Sequence, residues 1–183
     1  EKLIVKYAKA GKNTSEIVAL RARKTPIPID LSKTDFYDAE EFFEPVKVES
    51  GKVRLEGGER YLLASKGVLN IPNHLSAELR RHAGQAFRGT WDEAGFIDPA
   101  FRGDLVFEAV VNENGGITLD KDDRRPVSSL EFFRTSQKPD KLYGKNIGSN
   151  YQSQQGPRVS KHFKKFDFNN AARNYQKLDR YVL

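Results

Sequence analysis

Apolar and polar residues alternate in short runs through the middle of the chain, residues 46–136, and turn-forming residues break the runs every 8–12 positions. A period of two puts one face of a strand in a core and the other in water. The runs fall at 46–48, 52–55, 61–64, 67–71, 75–79, 105–111, 117–119 and 127–133, which predicts seven or eight strands. Glu49-Ser50-Gly51 reads as a hairpin turn, Gly57-Gly58 as a second turn, and 112–116 as a turn between two later strands. Many short strands at this spacing predict an antiparallel sandwich or barrel. Outside the block the pattern loosens. Residues 1–37 carry apolar stretches only at 17–20 and 27–31. Asp38 is placed to cap a short helix over 39–43, which Pro45 stops. Residues 144–156 are rich in Gly, Ser, Asn and Gln and read as a mobile loop. Ala171, Tyr175, Leu178 and Val182 recur at i, i+4, i+7 and i+11, predicting an amphipathic helix over 170–183.

Composition narrows the chemistry. The 183 residues, 38% apolar, suit one domain with a real core. No apolar run approaches the roughly 18–20 residues of a membrane span, and the first eleven residues lack a signal-peptide pattern. The net charge of +6 favours a polyanionic partner. The cations are scattered, with the densest groups at Arg80-Arg81, Arg124-Arg125 and 161–165, the first two beside acids. A nucleic-acid groove would interleave cations with stacking aromatics. Only Phe163, Phe166 and Phe168 offer that, over a short stretch, so no nucleic-acid partner is expected. The absence of Cys removes a disulfide framework, Cys-ligated zinc, an iron–sulfur site and a thiol nucleophile, and fits a reducing, cytoplasmic setting. The chain has no Met and begins at Glu1, which reads as an excised piece. His74, His82 and His162 have no metal partner at ligand spacing, and neither a Walker A loop nor a Gly-x-Ser-x-Gly elbow is present.

Two segments carry more. The first is Ala94-Gly95-Phe96-Ile97-Asp98-Pro99-Ala100-Phe101-Arg102-Gly103, with Glu108 ten residues after Asp98. The second is Tyr143, then Tyr151-Gln152-Ser153-Gln154-Gln155-Gly156, with Ser160 four further on. Together they resemble the dCTP deaminases of the trimeric dUTPase superfamily. Finer similarities at Tyr37-Asp38, 42–45, 61–65, 147–151 and 160–163, with Arg21-Ala22-Arg23-Lys24 and Ile29-Asp30, are most like the second module of the tandem, two-module enzymes. The resemblance covers about residues 17–163 and would make this chain the carboxyl-terminal half of a longer one.

The resemblance implies a mainly β fold: a distorted jelly-roll β-barrel with a few short helices and a C-terminal helix. Residues 1–36 would supply an N-terminal segment and first strands, 37–140 the barrel core, 141–163 a nucleotide-closing lid, and 164–183 the C-terminal helix. It implies hydrolysis of the C–N bond at C4 of dCTP, a cyclic amidine, giving dUTP and ammonia without zinc. A zinc-dependent deaminase would need a Cys pair that this chain lacks. Glu108 holds the catalytic position. One carboxylate can take a proton from water and return it to the ring, and burial would move its pKa toward neutrality. Asp98 is expected on the deoxyribose 3′-hydroxyl; in dUTPases the equivalent Asp positions the attacking water. Phe101 is expected against the deoxyribose, leaving no room for a 2′-hydroxyl, and Ala94 and Ile97 bound the stretch against the cytosine edge. Tyr143 and Tyr151 would meet the phosphates and Gln154 the base.

The phosphate motif of the family is altered here. Ser76 and Arg80 keep its Ser-to-Arg spacing, but Leu75 replaces the leading Arg. Arg80, Arg81 and Arg88 are therefore candidates for the triphosphate. Asn150 replaces a Lys before the lid Tyr, which points to Lys145 as a substitute cation, and Ala100 replaces a common Gly. Mg²⁺ would arrive on the triphosphate, held by phosphate oxygens and water, with no metal ligands from the protein. The assembly implied is a homotrimer, or a tandem-module equivalent, with shared sites. A dUTPase, a bifunctional enzyme, a catalytically silent nucleotide-binding module and a structural jelly roll stay open as alternatives. Glu108 separates the first of these, because dUTPases typically carry an apolar residue there.

Overall fold

The computed structural model describes residues 2–3, 17–81, 90–92, 95–120 and 128–167. Its elements are β1 (Lys2–Leu3), β2 (Ile17–Ala22), α1 (Ala39–Phe42), β3 (Phe43–Lys47), β4 (Lys52–Leu55), β5 (Arg60–Asn70) and β6 (Leu75–Arg81), then β7 (Thr90–Asp92), β8 (Phe96–Ile97), β9 (Arg102–Val111), β10 (Ile117–Asp120), β11 (Ser128–Arg134) and a 3₁₀ turn at Lys145–Ile147. The strands form sheets in the orders β3-β2-β5-β9-β7, β1-β11-β6-β8 and β10-β4, every described pairing antiparallel. The mainly β architecture is therefore the one the alternation predicts. The helix expected over 170–183 lies outside the described residues.

Local chemistry explains most boundaries. The Asp38 carboxylate accepts from the Glu40 amide at 3.2 Å and caps α1. The chain turns extended at Phe43, so Pro45 does not stop the helix but lies inside β3. Its missing N–H is tolerated because β3 is a sheet edge. Ser50 and Gly51 take φ of 50° and 77°, the left-handed pair of a two-residue hairpin turn, closed by reciprocal bonds between Glu49 and Lys52 of 2.8 and 2.9 Å. The strands flanking this turn then part: β3 pairs with β2 and β4 with β10. The two runs at 61–64 and 67–71 merge into β5, whose pairing with β9 shifts register between Ala64 and Val68.

Among the described residues three clusters make the core. Val53, Leu55, Leu63, Phe107 and Val111 fill one between the large and small sheets. Ile71, Ala77, Ile97, Phe101, Leu105 and Leu130 fill a second beside β6 and β8. Leu20, Ala39, Phe42, Val159, Phe163 and Phe166 form a third, which ties residues 159–166 to α1 and β2. Each fully buried Phe or Leu side chain contributes about 1.5–3 kcal/mol. Among the described residues no helix is long and apolar enough to cross a membrane.

Candidate active site

Strand β9 builds the site. Along it Leu105, Phe107 and Ala109 face the core and Glu108 is exposed on the other face. The main chain of β9 alternates as well. The Leu105 amide bonds the Ser65 hydroxyl of β5 at 2.9 Å, and Val111 bonds Gly58 and Glu59 on the same side. Arg102 and Asp104 point the opposite way and bond residues 152–154. By that alternation the main-chain groups of Val106 and Glu108 also face away from β5. Between β7, which pairs with residues 109–111, and the 152–154 segment, no described strand lies along this edge.

A cleft of about 290 Å³ opens there, near the lower end of the roughly 300–1,000 Å³ usual for small-molecule sites. Its wall includes Ile97, Asp98, Phe101, Leu105, Val106, Glu108, Tyr143, Tyr151, Gln154 and Arg158, with Leu79, Gly95 and Phe96. Asp98 and Phe101 are presented by a turn in which the Phe101 amide bonds the Asp98 carbonyl at 3.2 Å. Ala100 takes φ 69° at its third position, where Gly is the usual residue. Burial raises the Asp98 carboxyl pKa, because water no longer solvates the charged form fully. Burial also raises the Tyr143 phenol, opposed by the bond it accepts from the Tyr151 amide at 3.2 Å. The Phe101 and Tyr143 rings lie tilted at 59° with centroids 5.8 Å apart.

The structure thus gathers Glu108, Ile97, Asp98, Phe101, Tyr143, Tyr151 and Gln154 into one cleft. Glu108 is exposed within the single chain, where the sequence reading anticipated burial. Arg80 is not on the cleft wall; its guanidinium bonds Glu131 at 2.7 Å and pairs with Glu78 at 2.9 Å. Lys145 sits at the start of the 3₁₀ turn. Ala94 and Arg88 lie outside the described residues. Asn150, where a lysine was expected, donates its amide to the Val159 carbonyl at 3.3 Å and so braces the closing segment. Residues 144–156, expected as a loose loop, instead fold onto the body through bonds from Gln152, Ser153 and Gln154 to residues 100–104.

The sequence reading missed Val106 and Arg158. Val106 was findable as the residue two before Glu108 on an alternating strand. Arg158 follows Gly156 by two residues inside the second motif, but only the fold shows that it reaches the wall. Among the described wall residues Arg158 is the one cation, set against Asp98 and Glu108.

Residues 2–163 match the family model of the 2'-deoxycytidine 5'-triphosphate deaminase (DCD) C-terminal domain, and the chain belongs to that family. A Corynebacterium efficiens protein named "dCTP deaminase, dUMP-forming" is 35% identical over 115 residues, 61% of this chain and 58% of its own length. A Halobacterium salinarum protein of the same name is 29% identical over 127 residues, 68% of this chain and 64% of its own. The chain thus spans about 60% of the length of such relatives. The crystal structure of 2'-deoxycytidine 5'-triphosphate deaminase from Agrobacterium tumefaciens superposes with a TM-score of 0.67 at 22% identity, covering 76% of this chain and 43% of that one. At that identity it supports the fold.

Proposed function

We propose that this chain is a dCTP deaminase module, converting dCTP and water to dUTP and ammonia in pyrimidine deoxynucleotide metabolism, with Glu108 as the proton-transferring group. One observation carries the reading: the Glu108 carboxylate and the outward main chain of β9 open onto the same cleft as Asp98, Phe101 and Gln154. A strand edge offers donors and acceptors at fixed spacing, which suits the planar, hydrogen-bonding edge of cytosine. Phe101 supports the sugar and Asp98 its 3′-hydroxyl. Glu108 takes a proton from water as the oxygen attacks C4, and passes it to ring N3. A second proton transfer lets the 4-amino nitrogen leave as ammonia, and C4 keeps the oxygen as a carbonyl. No metal is required for these steps; Mg²⁺ enters as part of the triphosphate substrate. Arg158, Tyr143 and Tyr151 face the phosphates.

Taking a carboxylate out of water disfavours its charged form, which suits a group that must accept and return a proton. The exposed Glu108 and the 66%-exposed Phe96 at the cleft therefore call for cover. A neighbouring module, in a homotrimer or a tandem arrangement, supplies it in this reading. The protein acts in the cytoplasm on free nucleotide.

A second reading is favoured by the relatives' names, which describe formation of dUMP. Reaching dUMP from dCTP also requires a second water to release pyrophosphate. In this reading Asp98, on the cleft wall, orients that water.

The test follows ammonia and pyrophosphate from dCTP and dUTP with Mg²⁺. Ammonia from dCTP that falls about 10²–10⁴-fold in Glu108→Gln supports deamination. Added pyrophosphate supports the bifunctional reading. Pyrophosphate from dUTP without ammonia from dCTP makes the chain a dUTPase. Nucleotide binding with neither product would make it a silent module.

A further inference from the structure

Asp104 is the one carboxylate among the described residues that is completely buried, at 0% exposure. A buried polar group is costly unless it is hydrogen-bonded. Its surroundings show what it bonds. The Asp104 Oδ2 accepts from the Gly156 amide at 2.9 Å. The Asp104 amide donates to the Gln154 carbonyl at 3.1 Å, and its carbonyl accepts from the Gln154 side-chain Nε2 at 2.6 Å. One residue of the barrel thus makes three bonds to residues 154–156, the stretch between Tyr151 and Arg158 on the cleft wall. The approach is close enough to exclude a side chain beside it. A Cβ on Gly103, which has φ 154°, would lie 3.0 Å from the Gln154 nitrogen and 3.2 Å from its carbonyl oxygen.

The same bonds set the Gln154 amide. With Nε2 committed to the Asp104 carbonyl, Oε1 is the open hydrogen-bonding position, and it is buried without a protein partner among the described residues. An orphaned buried acceptor costs about 1–3 kcal/mol. Gln154 keeps that orientation because the main chain of Asp104 bonds both its carbonyl and its side chain, while the Asp104 carboxylate anchors Gly156 two residues on.

We infer that Asp104 is a positioning residue for the reaction. Its carboxylate anchors Gly156, beside the two main-chain bonds to Gln154, and so holds residues 154–156 against β9 between Tyr151 and Arg158 of the cleft wall. The carboxylate touches neither substrate nor water in the chemical step. Its consequence for turnover rests on the proposed deamination; its consequence for the docked segment does not.

The test compares Asp104→Leu, which removes the acceptor at similar volume, with Asp104→Asn, which keeps it, in the full chain. Hydrogen exchange over 152–158 should speed about tenfold in Asp104→Leu and stay near the parent in Asp104→Asn. The KM for dCTP should rise about tenfold in Asp104→Leu with a smaller change in kcat, and Asp104→Asn should restore it. A folded Asp104→Leu protein with parental exchange and KM overturns the inference. If Asp104→Leu does not fold, Gly103→Ala, which pushes on the Gln154 main chain and spares Asp104, must loosen the same segment or the inference fails. If the parent releases no ammonia from dCTP, the deaminase reading falls and the exchange comparison still decides the role of Asp104.

Discussion

Phe101 offers a test in which stability and selectivity separate. It is 6% exposed and packs with Ile71, Ile97, Leu105 and Leu130, with Tyr143 against its ring. Truncating a buried Phe to Ala costs about 3–5 kcal/mol, of which the aromatic pair supplies about 0.5–1.5 kcal/mol. At about 2–4 °C per kcal/mol for a chain of this size, Phe101→Ala should lower Tm by about 6–20 °C. Phe101→Leu keeps most of the apolar volume and should cost under about 1.5 kcal/mol. In the proposed reading the same ring also occupies the space a 2′-hydroxyl would need. Forcing a hydroxyl against it without a partner costs about 1–3 kcal/mol, or roughly 5- to 150-fold in discrimination. The assay is kcat/KM for dCTP and CTP in parent, Leu and Ala proteins, beside thermal unfolding. The dCTP-to-CTP ratio should fall at least about fivefold in the Ala protein, with the Leu protein between. A ratio within about twofold of the parent in both, despite the lost stability, would refute the role given to the ring and leave Phe101 a core residue only.

Two further outcomes are expected. Ala100 holds φ 69° in the turn that presents Asp98. An L-residue pays about 1–2 kcal/mol there, and the greater freedom of Gly in the unfolded chain returns about 0.4–1 kcal/mol. Ala100→Gly should therefore raise Tm by up to about 6 °C; a lower Tm contradicts the turn. Burial raises the Asp98 pKa, so the folded chain holds that proton where the unfolded chain has lost it. Stability then falls as pH rises through the window above the ordinary aspartate range, and the penalty persists at neutral pH. Asp98→Asn should melt above the parent at pH 7, with the gap closing as pH drops below that range, while dCTP turnover collapses. An Asn variant less stable than the parent at pH 7 would oppose this account.

Strand β9 was legible because one of its faces is buried, so Glu108 stood out against Leu105, Phe107 and Ala109. The Asp38 cap was legible because it acts within two residues. Strand β2 is implied by the resemblance, which puts the first strands in residues 1–36, but not by alternation: Ala19 and Leu20 are adjacent yet both at 0% exposure. Pro45 read as a stop because sequence does not reveal that β3 is an edge. Arg80 matched a spacing, but β11 brings Glu131 to its guanidinium from 51 positions away. Asp104 and Arg158 carried no local signal, since their importance arises from contacts that the sheet order creates. Periodicity reports what a residue's own strand does, and it is silent on what another segment lays across it.

The open stretch of β9 has a bearing on solubility as well. An unpaired strand edge is a template for another chain's strand and a common start of aggregation. Here, among the described residues, the gap between the 152–154 segment and β7 spans residues 105–108. Four residues rise about 14 Å, shorter than the roughly 5–6 residues of a typical strand. A flat heterocycle fits such a gap and an extended peptide does not. In the proposed reading the strand thereby offers sheet hydrogen bonds to a small ligand while denying them to neighbouring chains, and loosening the segment that Asp104 holds would lengthen the exposed edge and favour association between copies.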